Sequence, residues 1–383
     1  MADTPSYPLL PYSHMVWKIT RWMPKVYRFP MRYVWRGGAK EREHIEEVLR
    51  AVLSNHPVFA SYINWRGYQY KIVPKDILHG QYHDVCFDIK GADLYLNISG
   101  SRILGDAKSG QILFEDVKRA YAGMPLEPDD YWGYVACYEK RKLEAHYLDS
   151  KSWLEREFKD ERVPVRPTID RKWIRTLFPP KVGLYADDLT SLRESITHLI
   201  NEHHLTPEGI FSLCTGLAIA DYCGTDEAAL TWAYEGRETP EEQRVFGSLH
   251  RDIPFQINHK SSIINNKSNL IRETRNQIRA GIAHSDYPYT LTDPYNKRWD
   301  YAVNVLRVED AEDMLRKISL PIEVVSIPKQ KYAYALLDVE IHEQPESLRL
   351  VYRYSATHYK ESSIKKFAAL VRKYVEWLIE SEE

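Results

Sequence analysis

A stretch that is apolar on almost every side, LTPEGIFSLCTGLAIADYCG at residues 205–224, constrains the fold more than any other. Thr206 is a good N-terminal cap, Pro207 suits the first helical position, and Gly224 suits the end of a helix. A helix without a polar face has to be covered by other elements all round. We therefore expect this helix at the centre of a domain, and a chain of 383 residues is long enough to build that core.

Helical and strand periods alternate along the rest of the chain, which is typical of an α+β fold. The first half predicts an irregular aromatic start, a helix, a hairpin, a strand followed by a helix, and one further helical stretch. The second half predicts helices packed on a mostly antiparallel sheet. The predicted helices are 42–55, 109–121, 129–158, 186–204, 207–223, 268–288 and 360–380, and the predicted strands are 58–73 (a hairpin around Arg66-Gly67), 94–98, 228–236, 301–308, 322–327, 332–342 and 348–355.

The pattern divides the chain into an N-terminal half, 1–176, and a C-terminal half, 177–383, which could be two copies of one architecture. A net charge of −2 and a pI of about 6.7 give no reason to expect a nucleic-acid partner. No apolar run reaches the roughly 18 residues of a membrane span, and no signal peptide precedes the first half, so we expect a cytoplasmic protein with no membrane partner. The four scattered cysteines are expected to be free thiols.

A strand–turn–helix junction at residues 94–117 has the frame of a catalytic site. Its strand leads into small residues and Arg102, then Gly105 and Asp106, and the helical period starts near Ser109. We call this segment turn 99–108. It contains no obvious base or nucleophile, and no metal-binding motif such as HExxH or paired CxxC occurs in the chain, so no metal is predicted.

Four stretches, in this order, resemble the condensation domains of non-ribosomal peptide synthetases, and together they span essentially the whole chain. They are YPLLPYSHMVW, with Ser13-His14 where a glutamine is usual; LRAVLSNHPVFASY; TWAYEGRETPEEQRVFGSLHRDIPFQI, with its Gly-Arg, Pro-Glu and Gly; and LRLVYRYSATHYKESSIKKFAALVRKYVEWL. The resemblance implies two chloramphenicol-acetyltransferase-like subdomains in a V-shaped arrangement with a central tunnel. It also implies that substrates arrive on the phosphopantetheine of a carrier protein, with no other cofactor bound.

The active-site motif of this family, His-His-x-x-x-Asp-Gly, lies at such a junction and continues as Asp-Gly-x-Ser-x-x-x-Leu-x-x-Glu/Asp. The continuation matches DAKSGQILFED, which fixes the register. The resulting positions are Ser101 and Arg102 in the two histidine places, Asp106 in the aspartate place, Ala107 in the glycine place, and Ser109, Leu113 and Asp116 in the places that follow. The motif is degenerate at three positions.

The resemblance gives the second histidine the task of accepting a proton from the attacking amine or of positioning it. Arg102 cannot accept that proton, because a guanidinium carries only donors and stays protonated. Three roles stay open for Arg102: an ion pair with Asp106 or another carboxylate, binding of an anion or thioester oxygen, or plugging of the tunnel. Asp106 is expected to orient the turn through a salt bridge. Ser109, His14 and His250 are further candidates for lining the substrate site.

These observations favour a condensation-like protein that no longer condenses and serves as a binding platform in peptide or acyl assembly. Its expected partner is a peptidyl or acyl carrier protein, or a tailoring enzyme such as an oxidase. A family member that recruits cytochrome P450 enzymes in glycopeptide synthesis is similar in having arginine in the second histidine place. The alternatives are an active acyl- or aminoacyltransferase with a nonstandard active site, and a protein–protein module unrelated to peptide assembly.

Overall fold

The structure, a computed structural model, describes residues 6–22, 28–158, 160, 162–171, 180–258, 267–288, 302–308, 311–326, 332–333 and 335–380. The helices are α1 (Pro11–Thr20), α2 (Arg42–Asn55), α3 (Ala107–Tyr121), α4 (Tyr131–Arg141), α5 (Ala145–Glu157), α6 (Arg193–His203), α7 (Pro207–Cys223), α8 (Lys267–Ala283), α9 (Ala311–Ile318) and α10 (Glu361–Ile379). The strands are β1 (Ser6–Pro8), β2 (Phe29–Trp35), β3 (Ser61–Ile63), β4 (Tyr68–Lys71), β5 (His83–Lys90), β6 (Asp93–Gly100), β7 (Val182–Asp188), β8 (Glu227–Tyr234), β9 (Arg251–Asn258), β10 (Asn304–Val308), β11 (Ile322–Ser326), β12 (Leu337–Gln344) and β13 (Ser347–Ser355).

The chain forms two compact units, each assembled from three segments. Unit 1 comprises Met1–Arg141, Glu235–His250 and Glu309–Gln330, and unit 2 comprises Lys142–Tyr234, Arg251–Val308 and Lys331–Glu383. Neither unit is continuous in sequence, because two late segments bond into unit 1. Strand β11 pairs with β2, and residues 245–250 bond to turn 99–108. The halves 1–176 and 177–383 stay a prediction.

Unit 1 contains two antiparallel sheets, ordered β1-β4-β3 and β11-β2-β6-β5. The predicted hairpin is β3 and β4, and it turns at Gly67 with φ of +82°. Helix α2 buries the apolar face that its sequence period predicts and packs against α3. Strand β6 therefore lies between β2 and β5 and delivers turn 99–108 at its carboxyl end.

Unit 2 is built on a six-stranded sheet ordered β7-β13-β12-β10-β8-β9, in which β10 runs parallel to both neighbours and the other pairs are antiparallel. Helix α7 packs against this sheet and against α10, and every residue from Gly209 to Ala220 is buried. The Thr206 hydroxyl accepts from the Gly209 N–H at 3.1 Å, and Gly224 ends the helix with φ of +65°. Helices thus pack on mainly antiparallel sheets, which confirms the predicted α+β class.

Three predicted elements differ from the structure. The single helix predicted over 129–158 is two helices, α4 and α5, and the division between the units falls in the gap after Arg141. Residues 186–188, predicted as helix, end strand β7, because pairing with β13 overrides their local preference. The aromatic start contains α1 and β2 rather than irregular chain.

All four cysteines are free thiols, as predicted. Within the described residues, the helices are too short or too polar for any of them to cross a membrane.

Candidate functional site

Turn 99–108 is closed by a reciprocal cap at the start of α3. The Asp106 carboxylate accepts from the Ser109 N–H at 3.0 Å, and the Asp106 N–H donates to the Ser109 hydroxyl at 3.3 Å. This exchange satisfies two of the N–H groups that a helix leaves without partners at its start. Helix α3 therefore begins at Ala107, two residues before the change of period in the sequence.

Asp106 also forms a buried ion pair with Arg237. Its two carboxylate oxygens lie 2.9 and 3.0 Å from the two terminal nitrogens of Arg237, whose side chain is 0% exposed. Burial raises the pKa of Asp106, but the charge and hydrogen bonds of Arg237 outweigh it and hold that pKa below its usual value. Asp106 is thus a fixed anion. Sequence reasoning did not assign Arg237 this role, although it belongs to the Gly-Arg pair that carried the family resemblance.

Residues 245–250 cover the turn with further hydrogen bonds. The Gly247 N–H donates to the Ser109 hydroxyl at 3.1 Å, and that hydroxyl lies 2.8 Å from the Gly247 carbonyl. The N–H groups of Leu249 and His250 donate to Asp106 at 2.9 and 3.2 Å, and the Ser248 hydroxyl donates to the Arg102 carbonyl. Residues 245–250, a later segment of unit 1, therefore fix the backbone of turn 99–108 through these hydrogen bonds.

Ser101 and Arg102 occupy the part of the turn nearest β6. Ser101 is buried, and its N–H donates to the Tyr82 carbonyl at 2.9 Å. The half-buried Arg102 places its guanidinium carbon 5.2 Å from the centre of the Phe29 ring, within the range of a cation–π contact. Because Arg237 supplies the counter-charge of Asp106, the frame of the turn does not depend on Arg102 for that purpose.

Helix α1 also reaches the turn. The Ser13 hydroxyl donates to the Ile103 carbonyl at 3.1 Å, and the ring of Tyr12 lies 3.5 Å, centre to centre, from the imidazole of His250. Of the two histidine candidates, His250 is thus brought to the turn through its backbone, whereas His14 stacks on Trp17 of its own helix at 5.6 Å.

A second buried cluster, which sequence reasoning missed, surrounds His56 at the end of α2. Its two ring nitrogens lie 2.9 Å from Asp129 and 3.2 Å from Asp116, and all three side chains are at most 1% exposed. Arg244 contacts the other oxygen of Asp116 at 2.8 Å. The sequence signal was His56-Pro57 together with Asp116, which ends the motif continuation.

The pKa values in this cluster depend on burial and on the neighbouring charges. Burial alone lowers the pKa of His56, but hydrogen bonds to Asp116 and Asp129 together reverse the effect and raise that pKa above its usual value. Burial likewise opposes ionisation of Asp116, but His56 and Arg244 hold its pKa below the usual range. Burial raises the pKa of Asp129 above its usual value in spite of its contact with His56. His56 therefore joins α2 to α3 and to the segment before α4 through these buried contacts.

A family model described as "Condensation domain" matches residues 86–382. Comparison of the sequence with curated proteins gives no match.

Three solved structures share the fold over nearly their whole length. The condensation domain of the Monacolin K polyketide synthase MokA has a TM-score of 0.77 at 14% identity, covering 98% of this chain and 97% of that chain. The X-domain from teicoplanin biosynthesis, in its complex with OxyB, has a TM-score of 0.77 at 15% identity, covering 99% and 94%. The starter condensation domain of rhizomide synthetase, a mutant in complex with C8-CoA, has a TM-score of 0.72 at 12% identity, covering 98% and 94%.

Proposed function

The chain belongs to the condensation-domain family, and we propose that it acts in non-ribosomal peptide or related acyl assembly as a binding platform rather than as a condensation catalyst. Its partner is a carrier protein or a tailoring enzyme. The substrates that such a carrier presents are held on phosphopantetheine, and this chain needs no cofactor of its own.

The observation that carries the proposal is that the contacts which hold turn 99–108 are intact, although the turn contains no general base. Asp106, Ser109 and Arg237 hold turn 99–108 in place through the buried ion pair and the reciprocal cap. The positions that the family resemblance gives to histidines are taken by Ser101 and Arg102. Loss of a general base costs about 10²–10⁴-fold in rate, whereas binding a partner protein requires no base.

Two comparisons support the choice of partners. The X-domain, which has the same fold, is known in a complex with OxyB, so the fold can bind a second protein. The starter condensation domain binds C8-CoA, which carries an acyl group on a pantetheine arm. For this chain, both the oxidase-type partner and the carrier-type partner are part of the proposal.

The test combines turnover with binding. The purified chain is incubated with aminoacyl and peptidyl carrier-protein thioesters, and amide formation is followed by mass spectrometry. We expect no product from the wild type or from Arg102→Ala, while calorimetry detects binding of a carrier protein or of a candidate oxidase. Robust turnover by the wild type would overturn the proposal, as would the absence of binding to every carrier and oxidase tested.

A matched variant separates a missing base from a wrong substrate. Ser101→His with Arg102→His places imidazoles in both histidine positions without touching Asp106, Ser109 or Arg237. Product formation by this double variant alone would attribute the inactivity of the wild type to the turn. A further variant that also carries Asp106→Asn should lose any activity gained, because the frame then lacks its anion.

The position of His250 favours one alternative, an active acyltransferase. The backbone N–H of His250 donates to Asp106, and its ring contacts the tilted ring of Tyr12 beside the turn, so its imidazole is the candidate base. If the wild type proves active, His250→Ala should abolish product formation, whereas His14→Ala should not. Equal activity of both variants would exclude His250 as the base.

A further inference from the structure

Three side chains of metal-binding type converge at the edge of the sheet that carries turn 99–108. His79 lies in the loop before β5, and Asp84 and Cys86 lie on β5 itself. Their spacing matches neither HExxH nor paired CxxC, so the sequence alone predicts no metal site. Asp84 and Cys86 are two residues apart on a strand, so their side chains leave the same face.

Backbone hydrogen bonds hold the loop that contains His79 against strand β5. His79 forms an isolated antiparallel bridge with Asp84, and the Val85 N–H donates to the Leu78 carbonyl at 2.9 Å. Arg28 adds hydrogen bonds to the carbonyls of Gly80 and Gln81 at 3.1 and 2.6 Å. The three side chains are therefore presented by a held loop and a paired strand.

The donor atoms are close enough to share one cation. A ring nitrogen of His79, a carboxylate oxygen of Asp84 and the Sγ of Cys86 all lie within 4.8 Å of one another. Cys86 Sγ is 3.5 Å from Asp84 Oδ2, close to the spacing of about 3.5 Å that tetrahedral zinc bonds of 2.0–2.3 Å require. His79 Nδ1 lies 2.5 Å from Asp84 Oδ1 in a hydrogen bond. The ring and the carboxylate have to separate to about 3.3 Å before one zinc ion can bind both.

The other ring nitrogen of His79 faces a carboxylate. His79 Nε2 is 3.8 Å from Asp76 Oδ2, and the second oxygen of Asp76 is held by Arg50 at 2.6 Å. Metal-binding histidines commonly direct their second nitrogen at such a carboxylate, which fixes the tautomer and the ring. This contact is an observation independent of the three donor atoms.

We propose that His79, Asp84 and Cys86 bind one zinc ion. The mixture of thiol, imidazole and carboxylate suits zinc and disfavours calcium and magnesium, which prefer oxygen ligands alone. Three protein ligands leave a fourth position, and Asp84 and Cys86 line a pocket of about 250 Å³ together with Asn97 and Ser99. Binding releases the Cys86 thiol proton to solvent.

The site adjoins the start of the turn. Asp84 is the direct pairing partner of Ser99, and Cys86 that of Asn97, across β5 and β6. A zinc ion here would fasten an edge strand and its preceding loop to the strand that positions Arg102. The inference does not depend on the proposed function, since it concerns only the metal ligands.

Cobalt(II) is the probe, because it replaces zinc and reports a thiolate ligand by a charge-transfer absorption band. We expect the reduced, metal-free full chain to bind one cobalt ion with that band, and zinc to displace it. Cys86→Ser should abolish the band, and His79→Ala should weaken cobalt binding at least about tenfold. Circular dichroism checks that the variants are folded.

Matched controls use residues of the same type in unit 1. Cys137→Ser removes another exposed thiol, on α4, and Asp88→Asn removes another exposed carboxylate on β5. Both should leave the band and the affinity unchanged. The proposal is overturned if the wild type shows no thiolate band, if the band survives in Cys86→Ser, or if Cys137→Ser removes it.

Discussion

Replacing Arg237 by methionine should destabilise unit 1 by about 3–5 kcal/mol, because the Asp106 carboxylate then stays in the interior without its counter-charge. Methionine preserves much of the side-chain length but donates no hydrogen bond. Asp106 keeps three N–H donors, from Ser109, Leu249 and His250, which argues for the lower end of that range. The carbonyls of Val245 and Gly247 each lose a guanidinium donor at 3.1 Å, which argues for the upper end.

The cost should depend on pH. In the wild type, the pKa of Asp106 lies below its usual value, so its stabilisation is present above about pH 3.8 and is lost as the pH falls through the lowered pKa. Without Arg237, burial dominates and raises that pKa. The folded variant then binds a proton more tightly than its unfolded chain, so its stability falls as the pH rises from about 4. The difference between variant and wild type therefore grows from acid pH toward neutrality.

The assay is urea unfolding followed by tryptophan fluorescence. With a slope of about 3 kcal/mol/M, a loss of 3–5 kcal/mol moves the midpoint by about 1 M or more. Arg36→Met is the control, because Arg36 also contacts two carboxylates, Asp93 and Glu323 at 2.7 Å each, but is half exposed. Exposed pairs of this kind contribute at most about 1 kcal/mol.

A double-mutant cycle isolates the ion pair. Asp106→Asn keeps a side chain that caps α3 well, so it mainly removes the charge. Combined with Arg237→Met, it should cost at least about 2 kcal/mol less than the sum of the single variants. The reasoning is refuted if Arg237→Met costs no more than Arg36→Met, or if the two substitutions are additive.

Three further substitutions test other features. A Cβ on Gly105 would lie 2.7 Å from the Ser109 Cβ, so Gly105→Ala should lower the free energy of unfolding by about 1–3 kcal/mol. Gly100→Ala, where a Cβ meets nothing within 4 Å, should be nearly neutral in the same urea assay. Because the pKa of His56 is raised, its stabilisation is complete below about pH 6.5 and is lost as the pH rises through the raised pKa. The stability of the wild type should therefore fall more steeply in that range than the stability of His56→Gln. Parallel curves of stability against pH would mean that folded His56 is neutral. Thr206→Ala removes the cap of α7 and should cost about 1 kcal/mol of stability, measured by thermal unfolding. Thr197→Ala, inside α6, should not destabilise the protein. Equal effects of the two substitutions would show that the cap is not stabilising.

The sequence predicts elements well where their signals are local. Thr206, Pro207 and Gly224 mark both ends of α7, and the structure places the helix between them. The break between α4 and α5 was missed because Lys142–Glu144 contain no glycine or proline. Strand β2 was missed because its partners, β6 and β11, are distant in the chain.

The same distinction applies to the candidate site. The capping exchange between Asp106 and Ser109 spans three residues and follows from the motif register. Asp106 pairs with Arg237, and Asp116 pairs with Arg244; each arginine lies about 130 residues further along the chain. No periodic pattern relates positions so far apart. Local rules therefore place the turn, whereas long-range charge pairing completes it.

The segmented build of unit 1 has a consequence for synthesis on the ribosome. Arg237 follows Asp106 by 131 residues, so at about 5–20 residues per second it is translated roughly 7–26 s later. During that interval the nascent first segment carries an aspartate whose final counter-ion does not yet exist. A fragment ending at Arg141 would remain in that state permanently, and cells producing it should accumulate aggregated or degraded chain. The full-length polypeptide completes unit 1 once residue 330 has left the exit tunnel.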